Sequence, residues 1–283
     1  DEVGNQAAAA SAAPVGIDTV APTLTVSAPS EESTDTGPVS YTVEYSGADD
    51  IVLDASMVTA PATGTAAAGT VLVSGTGTTR TVTFSDITGV GTLAMTISAG
   101  SARDNAGNTT EAAQGAPFSV DSEPPTLVLE GPTPALANNG TTVVYMARYN
   151  DNLPGGLEVT LSPADAAVTP SAGSTASATA SVHTTADPLV REIRITDVTG
   201  DGNAQLQVAA GTAHDAVGNS APSVLGAAFT VDNTPPTVFV SAPSIMESTG
   251  GDVVYTVSYA GASAVTLTSA DVTLHPTGDA EAS

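Results

Sequence analysis

The chain has 283 residues, 30 acids against 5 bases, no Cys and no Trp, and a formal net charge of −25. Such a surface repels nucleic acid and anionic membranes, which both demand a basic footprint. Without Cys there are no disulfides to staple it, and no apolar run approaches the ~20 residues of a membrane-spanning helix. All five bases are Arg, and the abundance of Ala, Thr, Val, Gly, Ser and Pro fits many short strands joined by tight turns.

In chain order, the first feature is Asp1-Glu-Val-Gly-Asn5, followed by Asp18-Thr-Val-Ala-Pro-Thr. The pattern returns as Asp104-Asn-Ala-Gly-Asn108 with Asp121-Ser-Glu-Pro-Pro-Thr, and as Asp215-Ala-Val-Gly-Asn219 with Asp232-Asn-Thr-Pro-Pro-Thr. Asp18 to Asp121 is 103 residues and Asp121 to Asp232 is 111. A fixed period of this size marks stacked modules. The spacing predicts the end of one module over 1–17, whole modules over 18–120 and 121–231, and half of another over 232–283.

Within the first whole module, seven runs read as strands: 23–27, 39–46, 51–53, 70–74, 80–84, 93–98 and 117–120. Alternation is clearest in Thr81-Val-Thr-Phe-Ser and Leu93-Ala-Met-Thr-Ile. Seven short strands in about a hundred residues predict an all-β fold of seven-stranded antiparallel, immunoglobulin-like sandwiches. Each module carries Y-x-x-x-Y (Tyr41/Tyr45, Tyr145/Tyr149, Tyr255/Tyr259), which sets both rings on one strand face and predicts core packing. A T-G-x-G turn follows at Thr88 and Thr199. The second module is longer, chiefly through four residues around 152–156. Asp201-Gly-Asn203 looks like part of a calcium loop, but Val90 stands at the sister position, so it reads as a solvated turn. A half sandwich cannot close its core, which leaves two readings: a window from a longer array, or a subunit exchanging strands with its neighbours.

The D-x-x-G-N element followed by V-D-x-x-x-P-T resembles the bacterial Ig-like repeats of large secreted adhesins and surface proteins. That resemblance spans essentially the whole chain. It implies an extracellular setting and, by analogy with cadherins, calcium at the linkers that stiffens the array.

Geometry sharpens the expectation. In a seven-stranded antiparallel module the second and sixth loops lie at the pole where the chain enters. The first junction then gathers Asp18, Asp49 or Asp50, Asp104 and Asn108. The second gathers Asp121, Asp151, Asp215 and Asn219, with Glu123 as a further candidate. Asp232 opens a third, while Asp1 and Asn5 belong to a site whose other members precede the chain. Calcium takes six to eight hard oxygens, which carboxylates, Asn and turn carbonyls supply. Zinc is disfavoured, since His183, His214 and His275 share no ligand spacing. The competing structural reading is an Asx turn in which the loop Asp caps local amides.

A structural role as a calcium-stiffened stalk, fibre or filament therefore leads, with neighbouring repeats or other copies as partners. An adhesin module engaging a cell-surface glycan is the alternative. No nucleophile–base pair or phosphate loop recurs, so an enzyme is not expected.

Overall fold

The computed structural model describes residues 2–4, 6, 8–152 and 156–275. Asp1 and Asn5 therefore lie outside the described residues. The first whole module runs β1 Thr23–Val26, β2 Ser33–Thr34, β3 Val39–Ser46, β4 Asp50–Ile51, β5 Val58–Thr59 and β6 Thr70–Ser74. It continues with β7 Thr79–Ser85, β8 Val90–Leu93, β9 Thr96–Ile97, β10 Ala102–Arg103, β11 Ala113–Gln114 and β12 Phe118–Asp121. The sheet β1-β3-β7-β6 packs over β2-β12-β8, with β11-β9-β5 and the small β10-β4 pair completing the second layer.

The next module begins with β13 Thr126–Thr133, β14 Leu136–Ala137, β15 Val143–Asn150, β16 Glu158–Val159 and β17 Ala166–Pro170. It closes with β18 Ser177–Thr184, β19 Val190–Thr199, β20 Gly202–Val208, β21 Ala213–His214 and β22 Val224–Val231. Here β13-β15-β19-β18 faces β14-β22-β20-β17, and β16 pairs with β21. The fold is all-β, built of antiparallel sheets stacked as sandwiches.

Two features depart from a purely antiparallel seven-strand plan. Short pairings such as β4–β10 and β5–β9 span only two residues each, too few for any hydrophobic period to show. In addition, the first strand of each module changes sheets. After β1 pairs antiparallel with β3, β2 pairs parallel with β12; likewise β14 pairs parallel with β22. Pro29 and Pro134 lie in these crossovers and offer no N–H to either ladder. The strand β12 also runs to Asp121, which pairs with Val90, so the expected boundary at 121 falls on the last residue of a strand.

The Y-x-x-x-Y strands hold the two layers together. In β3 and β15 the burial alternates as period 2 demands, and Tyr41, Tyr45, Tyr145 and Tyr149 are buried. Their hydroxyls cross to the opposite layer. Tyr41 donates to the Ala116 carbonyl and Tyr145 to that of Ala227, both at 2.5 Å. Tyr45 donates to Ser101 Oγ (3.0 Å) and Tyr149 to Thr212 Oγ1 (2.7 Å). A buried phenol supplies large apolar area only if its O–H finds a partner, and here each does. The ring of Tyr41 leaves no room beside it: a Cβ on Gly115 would lie 2.7 Å from its Cε1.

The remaining described segment carries β23 Thr237–Val240 paired with β24 Val257–Ala260. Here the expectation of core tyrosines fails. Tyr255 is 49% exposed and Phe239 62%, because among the described residues no second sheet packs on this pair. No helix among the described residues is long and apolar enough to cross a membrane.

Candidate metal site at the junction between modules

The D-x-x-G-N loops sit beside the linker that enters their own module, as loop alternation requires. Asn108 Nδ2 donates to the Asp18 carbonyl (3.1 Å), and Asn219 Nδ2 to the Asp121 carbonyl (2.8 Å). The loop itself is an Asx turn in both copies. Asp215 Oδ1 accepts the N–H groups of Val217, Gly218 and Asn219 at 3.0, 2.7 and 2.9 Å, and Oδ2 accepts Asn219 Nδ2 at 2.6 Å. Gly218, at φ +104°, supplies the left-handed residue that turns these amides inward. The Asx-turn and junction readings are thus not rivals; the turn is what fixes the carboxylate.

At the second junction the acids converge. Asp121 ends β12, Asp151 follows β15 and Asp215 follows β21. One carboxylate oxygen from each lies within 4.8 Å of the others, and they form the one such trio of potential ligands among the described residues. Asp121 and Asp215 are buried, and Oδ1 of Asp151 is sealed from solvent. At an effective dielectric of 20, each pair of full charges at this spacing repels by roughly 3–4 kcal/mol. Oxygen donors alone, three of them carboxylates, suit a hard divalent cation rather than zinc or copper. Asn219 gives both amide hydrogens to Asp121 and Asp215, which leaves its Oδ1 as a further donor. Glu123 stands outside the trio: its Oε2 accepts Asn152 Nδ2 (2.8 Å), and the same amide approaches Asp121 Oδ1 (3.4 Å). Asn152 of the longer loop is therefore in contact with the linker.

The first junction is built differently. Asp104 repeats the Asx turn, with Asn108 N and Nδ2 each at 2.8 Å. Asp18 Oδ1 turns back to the Val20 amide (2.9 Å), and Asp49 Oδ2 accepts the Asn105 amide (2.8 Å). Asp50, offered as the substitute for Asp49, is ion-paired with Arg103 at 2.6 Å. The cause is register. Asp50 pairs with Arg103 across β4–β10, while Glu158 pairs with His214 across β16–β21. Asp49 is thus the counterpart of Leu157, and Asp151 comes from the longer loop ahead of it. At the third junction Asp232 caps the Thr234 amide (3.0 Å), and the second loop of its module reads Gly261-Ala-Ser-Ala, without a carboxylate.

The hydrogen bond from the Asn108 side chain, with the loop amides, holds Asp104 below the usual carboxylate range against an opposing desolvation. A depressed carboxylate stabilises the fold above its unfolded pKa, near 3.9, and that contribution disappears as pH falls through the folded value. Carboxyl chemical shifts followed from pH 6 to 2 should place the Asp104 midpoint below that of an unfolded Asp, and Asn108→Ala should move it upward.

The linker residue following each Asp is the contact that the spacing argument missed. Ser122 N donates to the Gly89 carbonyl (3.0 Å), and Gly89 N donates to Ser122 Oγ (2.7 Å). Asn233 Nδ2 donates to the Gly200 carbonyl (2.7 Å), and Asn233 N to Asp201 Oδ1 (2.6 Å). Asp201 is accordingly a docking acceptor for the linker, and not merely a solvated turn residue. The available signal was a small polar residue at all three positions: Thr19, Ser122 and Asn233.

No protein-family description matches the chain. No curated protein matches it either. Among solved structures, it is similar to the Escherichia coli adhesin FdeC at 13% identity and a TM-score of 0.28, over 84% of this chain and 72% of that one. It is also similar to the N-terminal part of the bacterial S-layer protein SbsC at 16% identity and a TM-score of 0.22. That second likeness covers 76% of this chain and 45% of the S-layer one. At these scores the functional argument rests on the chain's own residues.

Proposed function

We propose that the chain is a structural, surface-exposed array in which a calcium ion at the second junction stiffens the joint between successive sandwiches. The observation that carries this reading is the convergence of Asp121, from the end of one module, with Asp151 and Asp215 from loops of the next. A cation held by all three ties the modules together and cancels the repulsion that otherwise drives them apart. Calcium modules outside the cell bind at about 10⁻⁴–10⁻³ M, the range in which a site on a surface array would be filled. The array then acts by reach and stiffness, with neighbouring repeats or further copies as its partners.

Calorimetric titration with calcium tests the reading directly. One ion per chain is expected at the second junction, with a further one at most where Asp104, Asn108 and Asp18 meet. No binding at millimolar calcium would overturn it.

A further inference from the structure

The linker is held differently by the two modules it joins. On the side of the following module, among the described residues, side chains alone reach the linker: Asn219 donates to the Asp121 carbonyl, Asn152 donates to Glu123 Oε2 and approaches Asp121 Oδ1, and Asp151 and Asp215 complete the acidic trio. On the side of the preceding module, the linker is docked before any ion is considered. Asp121 is a strand residue paired with Val90, and Ser122 exchanges hydrogen bonds with Gly89 in both directions. Ser122 Oγ also lies 3.2 Å from the Gly89 carbonyl.

The next linker repeats the arrangement with different chemistry. Asn233 reaches the Gly200 carbonyl and Asp201, and its own Oδ1 accepts the Asn139 amide at 2.7 Å. The receiving turn admits no substitute. Gly89 and Gly200 sit at φ +87° and +72°, and a Cβ on either would lie 2.1 Å from a backbone oxygen, of Thr65 or Thr175. The T-G-x-G turn is therefore shaped so that its backbone N–H and carbonyl face the linker at close range.

We propose that Ser122 and Asn233 are positioning residues that anchor each linker to the module before it, independently of any metal. Pivoting between modules is then confined to the tripeptides 123–125 and 234–236, and the linker Asp is presented to the next module as part of a preformed arm. The acidic trio completes a joint that is already rigid on one side.

Amide hydrogen exchange in EDTA tests this apart from the calcium reading, because no divalent ion is present. In the full chain, the Gly89 and Ser122 amides should be protected to the same degree as the neighbouring strand amides of Val90–Leu93. Ser122→Ala should speed exchange at Gly89 by roughly fivefold, the loss of one net hydrogen bond of ordinary strength. Ser122→Thr, which keeps the accepting hydroxyl, should retain much of the protection. The thermal midpoint serves as a control for folding and should fall by no more than roughly 4 °C in either variant. Gly89 exchanging freely in the unsubstituted chain, or at the same rate in Ser122→Ala, overturns the proposal.

Discussion

Asp151→Asn should make the chain more stable in EDTA and less stable in calcium, so that the two melting curves cross over. The substitution removes one of three charges packed within 4.8 Å. Two of the three repulsive pairs disappear, each roughly 3–4 kcal/mol at an effective dielectric of 20. Solvent and relaxation will absorb much of that. A gain of even about 1 kcal/mol raises the melting temperature of a module this size by roughly 4 °C. In calcium at a hundred times the dissociation constant, the unsubstituted chain gains about 2.7 kcal/mol, which the variant forfeits. Asp49→Asn, by contrast, should leave the calcium response intact, because that carboxylate faces the Asn105 amide at the first junction. A purely structural Asx role for these acids predicts no crossing, since both variants would then lose stability in either buffer.

Tyr145 should be the most costly side chain to remove from the second sandwich. It is fully buried, and its hydroxyl bridges the layers to the Ala227 carbonyl. Tyr145→Ala should cost about 3–5 kcal/mol, as large aromatic truncations do. Tyr145→Phe keeps the ring and strands the carbonyl, costing about 1–3 kcal/mol. Burial pushes the phenol up to about 12, against a small lowering by backbone hydrogen bonding. Raised above the unfolded value near 10, the neutral phenol stabilises the fold fully below pH 10. That stability is lost as pH rises toward 12. Denaturant midpoints measured from pH 9 to 12 should therefore fall steadily, and fall less in Tyr145→Phe.

The readable parts of this chain were those governed by short periods and by loop alternation. The Y-x-x-x-Y phase placed Tyr41, Tyr45, Tyr145 and Tyr149 on buried strand faces because side chains alternate every residue, whatever the partner strand. Loop alternation placed Asn108 beside Asp18 and Asn219 beside Asp121 without knowledge of a single contact. Three things were illegible for physical reasons. The pairing of Asp50 with Arg103 joins residues 53 apart in sequence through a two-residue ladder. Loop alternation assigned Asp49 or Asp50 and Asp151 to corresponding places, but in register Asp49 matches Leu157, and among the described residues only Asp151 joins its linker Asp in an acidic trio. Tyr255 carries the same local pattern yet is 49% exposed, because among the described residues no second sheet packs on its strand pair. Where a residue's role hung on a long-range partner, local pattern could not assign it.

Everything about the proposed role depends on whether a divalent ion governs the angle between the two central sandwiches. Pulsed dipolar spectroscopy can read that angle directly, using one spin label on the outer face of each sandwich, at Leu72 in β6 and Ser181 in β18. With calcium the account predicts a single narrow distance distribution that broadens on chelation and stays broad in Asp151→Asn. Equal widths with calcium and with EDTA would contradict it.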